Sequence, residues 1–336
     1  MGTSSRAHLR SSRAGRPVRV HLLAPGPPDH GVVRHSATLA RLLLGSGAEI
    51  VDDAPAADVV HVQFTDALWG PDIATAAGGF AEWATRVRAP LVVTLHDVPG
   101  GDVDPRRDER RCRGYARVLA AADVVVVSAA HEAAKVTAMS GRQAVVVGLP
   151  VERLPCGPRP DWADRPTLGV LGFVYPGKGH DDVVRAAAAL PQRPRVVAAG
   201  AVSPGHEAVH ADLDRRAAAL GVDLVLTGRL DDAAMGGAAR AVTVPVVPGR
   251  AVSASGTLAT WWAAGRRPLV ADGVYATDQA RTYPDALVLY PPGGLVAAAA
   301  AALAGPATTL LTGPRTWPDA AAAHLQVYAN LQGVRC

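Results

Sequence analysis

The sequence predicts an α/β protein built from two doubly wound, parallel-sheet domains. Three observations carry that expectation. Short apolar runs alternate with Ala/Leu-rich helical stretches along the chain, the pattern of strands joined by crossover helices. The alternation is interrupted once, at residues 151–166, where Pro155, Pro158, Pro160 and Pro166 stand with few apolar neighbours, as in a linker. A length of 336 residues with 49% hydrophobic content suffices for two cores of ordinary size.

The elements follow in order. Val18–Ala24 reads as a strand and 25–30 as a loop, and 31–44 has the 3.6-residue apolar spacing of a helix that stops before Gly45 and Gly47. Further strands are expected at 59–64, 91–95, 124–127 and 144–147. After the linker a second series begins, with strands at 168–174, 196–199, 224–227, 241–247, 269–271 and 286–290. A helix is expected from the 253–257 turn through Ala264, where Gly265 ends it.

Composition narrows the class. No uninterrupted apolar run reaches membrane-spanning length and the N-terminus lacks the apolar segment of a signal peptide, so a cytoplasmic location is expected. Cys112, Cys156 and Cys336 are odd in number and widely spaced, which argues for free thiols over a disulfide framework or zinc site. The net charge of +4 comes from one end: Arg6, Arg10, Arg13, Arg16 and Arg19 lie in a stretch without acids, and the remainder is near neutral. A nucleic-acid partner is therefore not expected. Residues 1–16 form a basic tail too polar to pack and are expected to be disordered, either as an inert leader or as a weak attachment to anionic lipid at a membrane surface.

Only two of the 34 basic residues are lysine, Lys135 and Lys178, in a chain that otherwise uses arginine. Lys178 stands between Gly177 and Gly179 just after a strand. A compact ammonium between side-chain-free residues reaches a phosphate where the broad guanidinium fork does not. A solvated turn lysine is the alternative. Ligands of doubly wound folds gather at the carboxyl ends of strands, where helix N-termini present backbone N–H groups. Four segments belong there: the loop 25–31, the His96-Asp97-Val98-Pro99-Gly100-Gly101 segment, the Lys178 loop, and the turn 248–257. In the last, Ser253 and Ser255 read as helix caps and Gly256 permits close backbone approach, so the turn suits either a diphosphate or an ordinary capped helix.

These residues carry a resemblance. Gly-Phe-Val-Tyr-Pro-Gly-Lys-Gly-His at 172–180, Thr-Gly-Arg-Leu at 227–230, the Ala-Ser-Gly turn at 254–256 and Gly265-Arg-Arg-Pro-Leu-Val look like the C-terminal domain of GT-B glycosyltransferases of the family 4 type. His30-Gly-Val-Val-Arg-His35 is similar to that family's N-terminal glycine loop, and Thr94-Leu-His-Asp97 to its active-site histidine segment. The segment 317–331, with His324 and Tyr328, resembles its C-terminal crossing helix. The resemblance implies two Rossmann-like domains facing a central cleft: an acceptor domain at 17–150 joined by a helix at 317–333, and a nucleotide-sugar domain at 167–316. It implies retaining, metal-independent transfer of a sugar from a nucleotide sugar to a small-molecule or lipid-linked acceptor, with no cofactor. By the same resemblance Lys178 and His96 are the catalytic candidates, although a core role for His96 stays open. Gly31, Arg229, Arg250, Ser253, Ser255, Gly256, Thr257 and Thr260 are candidates for donor binding, and Arg34 and Asp97 for the acceptor; an exposed Arg229 without a role is equally open.

Two departures stand out. The family's Arg five residues before the Lys is Phe173 here, and its two Glu residues eight apart align with Val252 and Thr260. A threonine cannot accept two hydrogen bonds as a carboxylate does. A catalytically silent relative that binds nucleotide or sugar for a partner is thus the second expectation. Other motifs fail: Gly-Lys-Gly lacks the hydroxyl that follows a Walker lysine, no Gly-x-Gly-x-x-Gly follows the first strand, and Asp102-Val103-Asp104 lies in a Pro/Gly/Asp-rich loop that does not suit a metal.

Overall fold

The computed structural model describes residues 16–101, 104–249 and 253–333. Residues 1–15 of the basic tail, Asp102, Val103, Arg250, Val252 and Cys336 lie outside these residues. The first series runs β1 (Arg19–Leu23), α1 (Gly31–Gly45), β2 (Glu49–Ile50), β3 (Val59–Phe64), α2 (Asp66–Trp69), α3 (Ile73–Ala84), β4 (Leu91–Leu95), α4 (Pro105–Ala121), β5 (Val124–Val127), α5 (Ala130–Ser140) and β6 (Val145–Val146). The second runs β7 (Thr167–Leu171), α6 (His180–Ala189), β8 (Arg195–Ala199), α7 (Ala208–Ala219), β9 (Leu224–Leu226), α8 (Asp232–Ala241), β10 (Val244–Val247), α9 (Gly256–Ala263), β11 (Leu269–Ala271), α10 (Val274–Thr282), β12 (Val288–Tyr290), α11 (Leu295–Ala304) and α12 (Ala320–Gly333).

The strands form two six-stranded sheets, in the orders β2-β1-β3-β4-β5-β6 and β12-β11-β10-β7-β8-β9. Pairing is parallel, with Val20 opposite Val59 in one and Leu168 opposite both Val196 and Val244 in the other. The order reverses beside the first strand of each series, as doubly wound sheets do. Two compact units result from contact density. One holds the residues up to Thr94, Arg113–Val125 and those from Ala321 onward; the other holds Leu95–Cys112 and Val126–Ala320.

In the second unit, period-two alternation fills both faces of the sheet. Leu168, Val170, Val196, Val244, Val246 and Leu269 pack one way, with Val183, Val184 and Leu213 of α6 and α7. Leu171, Val197, Val247 and Val270 pack the other way, with Leu258, Trp261 and Trp262 of α9. In the first unit Phe64, Phe80, Trp69 and Tyr115 meet edge-on or stacked, with ring centroids 5.1–6.0 Å apart. A buried polar chain also runs through it: the His61 Nδ1 lies 2.7 Å from the Tyr328 hydroxyl of α12, and its Nε2 lies 2.7 Å from the Thr94 hydroxyl of β4.

Several expected boundaries move. The strand expected at 241–247 begins at Val244, because α8 continues to Ala241. That helix is capped by Asp231, whose carboxylate accepts from Ala234 N–H at 2.7 Å, and it stops where the Arg266 guanidinium takes the carbonyls of Arg240 and Thr243. Arg266 is 6% exposed with carbonyl and hydroxyl partners and no carboxylate, and burial holds its pKa down to about 10. β2 was not expected, since two residues carry no readable period; it exists by pairing with β1. The proline-rich segment is tied down: Leu154 and Pro155 carbonyls accept from Arg240 at 2.8 Å each, and a 3-10 turn follows at Asp161–Asp164. No helix among the described residues is long and apolar enough to cross a membrane.

Candidate active site

The Lys178 loop leaves β7 through three glycines that each answer to a different constraint. Gly172 has φ of 92°, and a Cβ there would lie 3.3 Å from Thr257 Oγ1. Gly179 caps α6 at φ of 94°, where a Cβ would come within 2.7 Å of Pro248. Gly177, with φ of 85°, faces open space. Lys178 thereby comes to lie with its Nζ 3.3 Å from Thr257 Oγ1 and 5.7 Å from the Tyr175 ring centroid. Burial lowers its pKa, since desolvation penalises the ammonium. His180, the first residue of α6, is 4% exposed, and burial together with the Lys178 charge pushes it down to about 4, so it is neutral at pH 7.

Thr257 is in the first turn of α9. Ser255 caps that helix, its Oγ accepting from Leu258 N–H at 3.1 Å. A Cβ at Gly256 would meet nothing within 4 Å, so space stays open outside the first turn. An ammonium, a helix N-terminus and open space meet here, which is the arrangement that binds a diphosphate. The cavity of about 380 Å³ on the α7 side of the same loop is less suited to one, because Asp181, Asp182 and Asp212 line it beside Arg216, which Asp181 engages at 3.1 Å.

The remaining candidates divide. Ser253 is not a cap: its hydroxyl donates to the carboxylate of Glu132, a residue for which the sequence offered no motif. Thr260 donates its hydroxyl to the Gly256 carbonyl at 2.9 Å, the back-bonding habit of a helical threonine. Arg229 is exposed after β9, beyond Thr227, whose hydroxyl accepts from Gly200 N–H at 3.1 Å. His96 is half-buried directly after β4, and Asp97 is exposed in the left-handed region at φ of 55°, its carbonyl accepting from Arg111. Both belong to the unit of Lys178, whereas Gly31, the first residue of α1, and exposed Arg34 belong to the other. There the His30 side chain caps α1, accepting from Val32 N–H at 3.2 Å. Arg250 lies outside the described residues.

Glu132 is 1% exposed, and burial pushes its carboxyl up to about 7 against its bonds to Ser253 and Ser128, with the Asp97 charge adding to the rise. A carboxyl raised in the folded state favours folding most when protonated, so this contribution is present below pH 4.5 and lost as pH rises through about 7. We predict that Glu132→Gln removes a loss of about 3 kcal/mol between those limits. Chemical denaturation of both proteins across the range measures it; parallel pH profiles would refute the assignment.

The family model for the Glycosyl transferase 4-like domain matches residues 3–152. No curated protein matches the chain in sequence. Among solved structures, sucrose-phosphate synthase (tll1590) from Thermosynechococcus elongatus superposes with a TM-score of 0.70 at 16% identity, over 95% of this chain and 100% of that one. Anabaena Alr3699/HepE, solved in complex with UDP-glucose, gives 0.68 at 13% identity over 94% and 98%. WaaG, a glycosyltransferase involved in lipopolysaccharide biosynthesis, gives 0.56 at 14% identity over 94% and 95%. Residues 3–152 thus match a glycosyl transferase 4-like domain, and the two six-stranded parallel sheets share the GT-B fold of these solved structures.

Proposed function

We propose that the protein transfers a sugar from a nucleotide-sugar donor to a small-molecule or lipid-linked acceptor, with retention of configuration and without a metal ion, on the cytoplasmic side. The observation that carries this reading is the meeting of Lys178 with Thr257 at the open N-terminus of α9. In the reaction the bond from the anomeric carbon to the diphosphate oxygen breaks and its electron pair stays with the diphosphate. The acceptor oxygen bonds the anomeric carbon on the same face, and its proton passes to the departing phosphate. Charge grows on the diphosphate as the bond lengthens, so Lys178 and the first amides of α9 act more strongly on the transition state than on the bound donor. Ser255 and Gly256 serve by holding that turn open and in place. His96 hydrogen-bonds the sugar or the chain beside it, with Asp97 on the acceptor side. Residues 17–150 bind the acceptor in this reading, with Arg34 in the first turn of α1, and 167–316 bind the donor, with Arg229 and Arg250 near the base, while Gly31 at the start of α1 reaches the donor from the acceptor domain. The complex of Anabaena HepE with UDP-glucose supports a nucleotide sugar as the class of donor.

The test is a thermal-shift panel of UDP, GDP, ADP and dTDP, then mass detection of donor consumption with and without EDTA. Stabilisation by one nucleotide with EDTA-resistant turnover is expected. A nucleotide shift with no turnover on any donor would establish the second reading, a silent relative serving a partner. That reading draws on one observation: the Thr260 hydroxyl is engaged by its own helix, so nothing at 260 replaces the family carboxylate that grips a ribose.

The same observation predicts weak discrimination between UDP and dTDP, which differ at the ribose 2′-hydroxyl and in the 5-methyl group of the base. Thr260→Glu should tighten UDP by roughly 1.5–3 kcal/mol and dTDP by less, because a carboxylate facing a diol gains charge-assisted hydrogen bonds. Dissociation constants for both nucleotides in both proteins decide it. A parent that already prefers UDP a hundredfold would mean that another group reads the ribose.

A further inference from the structure

Glu132 is the only fully buried acid among the described residues, in the first turn of α5. A carboxyl so placed is costly unless its oxygens are satisfied, and both are. One accepts from Ser128 N–H at 2.8 Å, the other from the Ser253 hydroxyl. Ser253 stands two residues before the α9 cap Ser255 and four before Thr257, which meets Lys178. The segment 253–257 therefore has two anchors, Glu132 in front and the helix cap behind. Asp97 acts on the same carboxyl from the loop after β4, and Tyr275 of α10 feels its charge, while His131 and Lys135 are its neighbours on α5. An apolar side chain would fill the space with no desolvation cost but would leave Ser253 unheld. A satisfied buried polar link fixes one arrangement where apolar packing tolerates several.

We propose that Glu132 is the positioning residue of the donor-phosphate turn: its carboxyl, through Ser253, sets where Thr257 and the first amides of α9 stand against Lys178. The inference rests on the donor reading above for what the turn binds, and on the structure alone for what holds the turn.

Two measurements separate these. Hydrogen–deuterium exchange of the segment 253–258 reads the hold without any donor. Glu132→Ala should raise its exchange by about tenfold relative to the parent while β7 and β8 stay protected. Glu132→Gln should restore protection, because its amide accepts from Ser128 N–H and donates to Ser253 Oγ. Unchanged exchange in the Ala variant overturns the proposal. The second measurement is the dissociation constant of UDP, GDP, ADP and dTDP for the parent, Glu132→Ala, Ser253→Ala and the double variant. Each single change should weaken the best-bound nucleotide by about fivefold and the double no further, the mark of one shared interaction. Additive losses, or looser exchange with unaltered affinity, overturn it. If no nucleotide binds the parent, the donor reading fails, and with it the donor role of Glu132, while the exchange result still decides whether Glu132 holds the turn.

Discussion

Replacing Lys178 by alanine should lower sugar transfer by on the order of a hundredfold or more, equivalent to about 2.7 kcal/mol of transition-state stabilisation, with the fold intact. The ammonium is half-buried, its pKa is lowered by that burial, and its only hydrogen bond in the described structure is the 3.3 Å bond to Thr257. Removing it therefore relieves a desolvated charge and leaves the packing of α6 on the sheet untouched. Lys178→Arg should recover little, because the guanidinium fork is too broad for a seat framed by Thr257, Gly172 and the Tyr175 ring. Steady-state rates together with the denaturation midpoint check this. Full turnover in the alanine variant would remove Lys178 from the chemistry, and a collapsed midpoint would show that the lysine is structural.

The second large effect is expected at Gly200, which no motif singles out. Its Cα stands so close to the end of β7 that an added Cβ would lie 2.2 Å from the Gly172 carbonyl oxygen, while Gly172 N–H is bonded to Ala199 O at 3.0 Å. A methyl group there cannot be absorbed by a rotamer change, because the obstacle is backbone. Gly200→Ala should cost about 2–4 kcal/mol and shift the start of the Lys178 loop, weakening nucleotide binding as well. Urea denaturation and nucleotide titration read the two effects. A change below about 0.5 kcal/mol would mean that the ends of β7 and β8 part easily.

The alternation of apolar runs and helical stretches determined both sheets, because buried parallel strands read as short apolar segments and their crossover helices as 3.6-residue periods. Eleven of the twelve strands coincide with expected segments, and only their ends moved. Exceptions arise where a distant group intervenes. β10 begins late because Arg266 takes the carbonyls at the end of α8, and β2 is two residues held by pairing alone. The Gly-Lys-Gly loop and the Ser255 cap were legible because glycine conformation and helix capping are local properties, written within a few residues. Their meeting was not: Lys178 and Thr257 are 79 residues apart, Glu132 and Ser253 121, and His61 and Tyr328 267. Glu132 in particular looks like any acid in a first helical turn, where a carboxylate is expected to face solvent and favour the helix dipole. Only the fold removes it from water and sets it against the turn, since burial depends on what packs over a residue and not on the residue itself. The sequence by itself thus determined the architecture and the loop chemistry. Tertiary structure decided which polar groups lost their water, and hence which of them have a raised or lowered pKa and a single fixed partner.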